Sequence, residues 1–361
     1  MSFLRDALHA SPYALALAGL AIGFSFGAVA CATNFCVMGA ISDWRTFGDK
    51  SRLGAAALAS VVAIAGAQTL QAWGTVDLTN SIYLAPNINW AGALLGGLLF
   101  GFGMVQAGGC ASRNLVRAGA GDIRALVTLL VLVIAAFATI SGVFGPLRNW
   151  FETATLITAA RHGLAVPSVN AIAATFGLMP DQARLAASLL IGGPLLGFAV
   201  ISGRIFSNPR NLLAGLGVGL LVTLAWLVTG LSYDEMDVHP ITPTSLSFVR
   251  PVGDAIDWLE RSTALGALGF GAATVFGVLL GSFAVSLLRG HFRFSGFANR
   301  DDLFHHLGGA IQMGVGGVLG LGCSIGQGIS GVSTLSLQSL IAAAAILAGA
   351  VMALARLERR L

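Results

Sequence analysis

Four cysteines, Cys31, Cys36, Cys110 and Cys323, carry the most reactive chemistry in this sequence. None forms a CxxC pair, and each lies in or beside an apolar, glycine-rich stretch rather than in a long exterior loop. That setting argues against a disulfide framework and for free thiols close to an apolar interior. The segment after Cys323 reads Ser324-Ile-Gly326-Gln327-Gly328-Ile-Ser330-Gly331-Val-Ser333-Thr334. It has no charge but many donors: N–H groups freed by glycine, hydroxyls and an amide. An apolar helical pattern follows, so a helix N-terminus is expected to point at it, and helix N-termini and glycine nests hold anions. The plainer reading is a tight inter-helix turn with a Ser/Thr cap.

A second segment reads Cys110-Ala-Ser112-Arg113-Asn114-Leu-Val-Arg117. Arg113 offers planar donors and a fixed charge to an anion path; it reads equally well as a cytoplasmic anchor, which is how Arg117 and Arg124 read. A third reads Cys31-Ala-Thr33-Asn34-Phe35-Cys36. Cys31 reads as a small apolar filler, whereas Cys36, with Asn34 and Phe35, sits in a break between apolar runs. A Cys31–Cys36 redox pair lacks the usual spacing. The six histidines have no carboxylate partners at ligand spacing, so no metal site is expected. The Gly-x-Gly patterns have no strand-to-helix context, so no dinucleotide site and no cofactor is expected either.

The elements that must position these groups are membrane helices. Only 10% of the 361 residues are charged while 56% are hydrophobic, against roughly 25% charged in soluble domains. A soluble domain of this length needs a charged skin that this chain cannot supply. The 48 glycines suit tightly packed membrane helices. The net charge of +4 comes almost wholly from arginine, Lys50 being the single lysine; it reads as membrane anchoring rather than nucleic-acid binding. Nine apolar runs approach the ~20 residues a span needs: Tyr13–Ala30, Leu53–Trp73, Trp90–Gln106, Ile123–Phe144, Leu185–Gly203, Leu212–Val228, Leu265–Leu288, Leu303–Leu321 and Leu335–Leu354. The first follows Arg5 without a convincing cleavage site and reads as a retained span. With the N-terminus outside, 14 Lys and Arg residues fall on the cytoplasmic side and 6 on the exterior. Five of those six lie in the long connections Gly145–Arg184 and Thr229–Thr263, where the positive-inside rule is weak. Asp234, Glu235, Asp237, His239 and Pro240 mark the second connection as solvated, and Asp254–Arg261 as a short interfacial helix.

The chain also matches itself. Shifting it by 213 residues superimposes Gly96 on Gly309, Gly101 on Gly314, Gly103 on Gly316, Gly109 on Gly322 and Cys110 on Cys323. An offset of five spans makes the two copies face opposite sides, the inverted-repeat plan of secondary transporters. The expected fold is therefore all-α: a polytopic membrane protein of about nine transmembrane helices, with re-entrant glycine-rich loops and an inverted internal repeat. Residues 1–361 form one transmembrane domain, with halves of about 12–146 and 183–358.

The three cysteine segments resemble those of the YeeE/YedE family of bacterial inner-membrane proteins, whose members take up thiosulfate or handle related sulfur compounds. The resemblance runs over nearly the whole chain. It rests on Asn34-Phe35-Cys36, Gly108-Gly109-Cys110 and Gly322-Cys323-Ser-Ile-Gly326-Gln327-Gly328; Gly203-Arg204-Ile-Phe206 is similar to the family's Gly-Arg motif opening the second half. It implies an hourglass-like fold with short re-entrant helices and three central cysteines on one path, here Cys36, Cys110 and Cys323, with Cys31 a departure. Some relatives adjoin or are fused to a TusA-like cytoplasmic sulfur carrier; no such domain follows Leu361, so a carrier here is expected as a separate chain.

The resulting expectation is a non-enzymatic inner-membrane importer of thiosulfate or a related sulfur anion, N-terminus periplasmic and C-terminus cytoplasmic. Its path is lined by Asn34, Cys36, Cys110, Arg113, Asn114, Cys323, Ser324, Gln327 and Ser330, met in the order Cys323, Cys110, Cys36. A membrane sulfurtransferase passing a persulfide from Cys110 or Cys36 is the alternative; it needs a low-pKa thiol, and no general base is visible. A thiol oxidoreductase is disfavoured by the cysteine spacing. A dianion entering a negative interior faces roughly 4–5 kcal/mol per 100 mV, and the expected spans contain almost no Asp or Glu to couple protons.

Overall fold

The computed structural model describes residues 5, 11, 13–164, 166–202, 208–235 and 241–359. The helices, in chain order, are α1 Ala14–Thr33, α2 Val37–Phe47, α3 Ser51–Ala72, α4 Trp90–Gln106, α5 Ala111–Gly119, α6 Ile123–Ile140 and α7 Gly145–Thr155. They continue with α8 Val169–Thr175, α9 Pro180–Ile201, α10 Pro209–Leu231, α11 Arg250–Leu265, α12 Phe270–Leu288, α13 Arg300–Leu319 and α14 Leu337–Glu358. Between α13 and α14 lies a helical stretch with a π-turn at Gly326–Gly331. The only sheet among the described residues is the antiparallel pair Asn87–Ile88 with Ile157–Thr158. The Gly203–Phe206 motif and the loop residues Asp237, His239 and Pro240 lie outside the described residues.

The structure is that of a polytopic all-α membrane protein. Among the described residues, eight helical stretches are long and apolar enough to cross a membrane, not nine. The expected span that drops out, Leu303–Leu321, is a helix, α13, but Arg300, Asp301, Asp302, His305, His306 and Gln312 keep its composition polar. It forms because it packs between α4 and α6, not because it is apolar throughout. The expected loops at the cysteines are also different: the residues after Cys36, Cys110 and Cys323 are helical. Glycine and serine had read as irregular backbone, yet a buried main chain satisfies its own N–H and C=O groups most readily as helix. The expected Asp254–Arg261 helix belongs to the longer α11, which kinks at Arg261.

Glycine decides the packing. A Cβ on Gly96 or Gly103 of α4 would lie 2.6 Å from the carbonyl oxygens of Gly316 and Gly309 on α13. A Cβ on Gly309 or Gly316 would lie 2.6 Å from the carbonyls of Gly103 and Gly96. Small residues let helix backbones touch in this way. The contact is reciprocal: position 96 meets 316 and position 103 meets 309, while 309 and 316 are 96 and 103 advanced by 213. Other pairings repeat the same exchange. Helix α4 packs on α14 as α13 does on α6, α1 on α12 as α10 does on α3, and α2 on α14 as α11 does on α6. Helix α9 packs on α3 and α8 and enters none of these pairs.

At one end of α13 the charged groups interlock. Asp122 caps α6 through the Arg124 N–H at 3.1 Å and accepts Arg117 Nη2 at 2.6 Å and Arg124 Nε at 3.2 Å. Arg124 also lies 3.9 Å from Asp302. Burial works to raise the Asp122 carboxyl, but the hydrogen bonds and charges of Arg124 and Arg117 outweigh it and hold it below the usual carboxylate range.

Two outcomes test this packing. Gly103→Val should lower the melting temperature of the purified protein in detergent, overpacking costing on the order of 1–3 kcal/mol. Gly193→Val, at a glycine with nothing within 4 Å of its Cβ position, should leave it nearly unchanged. Because its folded pKa is depressed, Asp122 stabilises at pH above the unfolded carboxylate range, and that contribution disappears as pH falls through the folded value. Asp122→Asn should therefore melt lower than the parent at pH 7, with the gap closing below about pH 4.

Candidate functional site

Each of the three cysteines expected on the path stands at the start of a helix. Helix α1 ends on Asn34, whose φ of 59° turns the chain left-handed, and Cys36 is then extended and caps α2, its Sγ accepting the Gly39 N–H at 3.3 Å. Left-handed backbone is tolerated by asparagine better than by most non-glycine residues. Gly108, at φ 64°, ends the α4 turn and Cys110 caps α5. Cys323 follows Gly322, and its Sγ accepts the Gly326 N–H at 3.3 Å. The first N–H groups of a helix have no partner within it and present partial positive charge. Thiols placed there stand among donors rather than acceptors.

The three thiols are near neighbours. Cys36 lies against Cys110, and Ser324, the residue after Cys323, lies close to Cys110 without a hydrogen bond to it. Cys110 Sγ is 3.2 Å from Ser112 Oγ. All four cysteines are free; Cys36, Cys110 and Cys323 are buried, at 7%, 1% and 0% exposure, while Cys31 is half-buried at the end of α1. A cavity of about 60 Å³ lies beside them, lined by Val37, Ile41, Ser324, Gly328 and Ile346. That is room for on the order of two waters.

Two amides flank the thiols in matching fashion. Asn114 Nδ2 donates to the Gly109 and Cys110 carbonyls at 2.8 and 3.2 Å, and Gln327 Nε2 to those of Gly320 and Leu321 at 2.7 and 3.0 Å. Both amides fold back on the turn that precedes a cysteine, and both leave a buried oxygen without a partner. Asn114 advanced by 213 is Gln327. The Ser324 hydroxyl is buried and also unpartnered. Ser330 is instead consumed structurally, donating to the Leu246 carbonyl at 2.7 Å.

Arg113 packs on Gly109, whose Cβ position lies 2.9 Å from Arg113 Cγ. Its charge acts on Cys31 and Cys36, and among the described residues its guanidinium makes no hydrogen bond or ion pair. It is only half-buried. Asn34 is the expected residue that does not join the cluster: it is exposed, and its carbonyl accepts Arg52 Nη2 at 2.7 Å. Arg52 in turn pairs with Asp43 at 2.7 Å.

Several neighbours of the cluster escaped the sequence reading. The Tyr83 hydroxyl is buried and unpartnered, close to Cys323 and 3.5 Å from the Cβ position of Gly326. The stretch 241–248, read as part of a solvated connection, buries Leu246 and Phe248, and the Phe248 main chain reaches Cys323. The signal available was the apolar alternation in Ser245-Leu246-Ser247-Phe248. Trp226 Nε1 donates to Ser333 Oγ at 3.0 Å, and Gln68 Nε2 to the Ser333 carbonyl at 2.8 Å, fixing the far end of the same helix.

The chain is similar to known proteins over most of its length. Over 329 residues the chain is 26% identical to the thiosulfate transporter TsuA of Spirochaeta thermophila, covering 90% of this chain and 93% of that one. Over 348 residues it is 25% identical to the thiosulfate transporter TsuA of Escherichia coli, covering 91% of each. Residues 32–352, which include Cys36, Cys110 and Cys323, match the sulphur transport family, and the chain belongs to that family.

Proposed function

We propose that this protein carries thiosulfate, or a sulfur anion of similar size and charge, intact across the bacterial inner membrane to the cytoplasm. The observation that supports it most is the grouping of three buried thiols at helix N-termini, Cys36 against Cys110 with Cys323 nearby, and no carboxylate among them. Helix-terminal N–H groups offset the charge of an oxyanion in an apolar setting. A thiol is a weak donor and a soft, polarisable neighbour for a terminal sulfur. Such a site binds without trapping, which conduction requires. Both relatives compared are named as thiosulfate transporters, which favours this substrate.

In this reading α2, α5 and the helix after Cys323 are re-entrant, and α1–α6 and α10–α14 are halves related by a two-fold in the membrane plane, with α9 appended. The N-terminus is periplasmic and the C-terminus cytoplasmic, the orientation that the asymmetry of basic residues favours. The anion meets Tyr83, Ser324 and Cys323 first, then Cys110, then Cys36. Arg113 draws it toward the cytoplasmic side, and Asn114 and Gln327 hold open the turns ahead of their cysteines. A TusA-like carrier protein would meet the released anion on the cytoplasmic side, its thiolate taking the sulfane sulfur as a persulfide while sulfite leaves.

Uptake of thiosulfate labelled separately at its two sulfurs, in cells lacking other importers, tests the reading. Both labels should enter together; entry of one sulfur alone would replace transport of the anion by persulfide transfer. Cys36→Ala, Cys110→Ala and Cys323→Ala should each lower the uptake rate by about tenfold or more, a barrier change of roughly 1.4 kcal/mol, at equal expression. Cys31→Ala should stay within about twofold, well under 1 kcal/mol. In sealed cells an impermeant thiol reagent applied outside should reach Cys323 before Cys36, and external thiosulfate should slow it. The reverse order would overturn the orientation.

A further inference from the structure

The charged network at the end of α13 contains one buried group that neither the packing nor the thiol path uses. His306 is 7% exposed. Its Nδ1 lies 2.8 Å from the Asp302 carbonyl and 3.2 Å from the Asp302 carboxylate. Both neighbours can only accept, so Nδ1 carries the proton. Nε2 has no partner although it is buried. It points at Gly108, lying 3.6 Å from where a Cβ would stand, and Arg117 Nη1 is 3.3 Å from the same point. The imidazole and the guanidinium thus converge over the turn that leads into Cys110. Arg117 is itself fixed there by the Gly108 carbonyl at 3.1 Å.

The charges around His306 cancel. Arg117 on α5 and Arg124 on α6 face Asp122 and Asp302 in one continuous set of ion pairs. The connection before α13 presents the edge of Phe297, with ring centroids 5.5 Å apart, and α4 brings the neutral Gln106 to this end. Arg293, Arg300, Asp301 and His305 are exposed. Two arginines against two aspartates leave the cluster neutral, so the protonation state of His306 sets its sign. Neutral, Nε2 offers a lone pair and repels an anion. Protonated, it offers an N–H with no protein acceptor, beside a guanidinium, and attracts one.

We propose that His306 and Arg117, converging over Gly108, form a proton-operated anion site on the path beside Cys110, so that one proton accompanies each anion imported. The inference rests on the transport reading above. Proton and anion occupancy are mutually dependent there, since coupling between two ligands is reciprocal. The proton reaches Nε2 with the anion from outside and leaves with it to the cytoplasm. A dianion so accompanied moves one net negative charge instead of two, which halves the electrical opposition to uptake.

Proteoliposomes holding a pH-sensitive dye, with the potential clamped at zero, test it under an inward thiosulfate gradient. The parental protein should acidify the lumen as thiosulfate enters, and its uptake rate should fall roughly fivefold or more between about pH 6 and pH 8, the interval in which histidines titrate. His306→Gln should keep monodisperse folding, admit thiosulfate with little acidification, and vary less than about twofold over the same range. Thiosulfate entry without acidification by the parental protein would overturn this proposal alone, and needs no variant to fold. Acidification per thiosulfate unchanged in His306→Gln would overturn it too. No thiosulfate entry at all would overturn both it and the transport reading.

Discussion

Gly96 and Gly103 lie against Gly316 and Gly309 so closely that any side chain at these four positions would reach a carbonyl oxygen of the opposite helix. Helices α4 and α13 run antiparallel and each ends in a turn that delivers a cysteine, so this contact holds the two turns at its opposite ends. Ordinary side chains at these positions would part the helices to the usual 8–10 Å and shift both turns. Close backbone contact also permits Cα–H···O interactions, a cohesion that does not rely on expelling water. That matters where lipid, not water, is the competing solvent.

How much of this was legible in the sequence depends on what kind of signal carried it. Apolar runs gave the long helices directly, because burying unpaired backbone in lipid costs several kcal/mol per group and leaves helices as the only spanning form. The coincidence of Cys110 with Cys323 in register was legible because glycines around them matched too, and those glycines prove to be the contact surface. Helix α13 was read correctly as helix but not as a polar one, since its Asp302 finds Arg124 on α6, a partner that no local pattern announces, and His306 in turn pairs with Asp302. Helices α2 and α5 and the π-turned helix were read as loops, because Gly, Ser and Asn favour turns locally. Burial overrides that preference. Tyr83 and Phe248 could not have been placed, since each reaches Cys323 from a distant segment through tertiary packing alone.

The polar groups near the thiols are of one kind. Asn114, Gln327, Ser112, Ser324 and Tyr83 are all neutral, and among the described residues no carboxylate acts on the three sulfurs. Neutral dipoles can turn either a donor or an acceptor toward a passing group, whereas a buried carboxylate would repel an anion and a buried arginine would retain it. The two unpartnered amide oxygens are the visible cost of this neutrality, since a buried acceptor left unmade is worth about 1–3 kcal/mol.

The π-turn at Gly326–Gly331 has a further meaning when the halves are compared. At the cysteines they are in register at an offset of 213. Beyond them the offset is 214: a Cβ on Gly101 would meet the Ile346 carbonyl at 2.1 Å, and one on Gly314 the Leu132 carbonyl at 2.4 Å. One extra residue lies between, and the wider i→i+5 turn is what lets a helix hold it without breaking. A perfectly two-fold protein would look the same from either face of the membrane and could not tell in from out. Here a single added residue in one copy, with Gln327 in place of a shorter Asn and Tyr83 on one side against Arg113 on the other, makes the two approaches to the thiols chemically different. The chain thereby has a front and a back, although it is built from two copies of nearly the same plan.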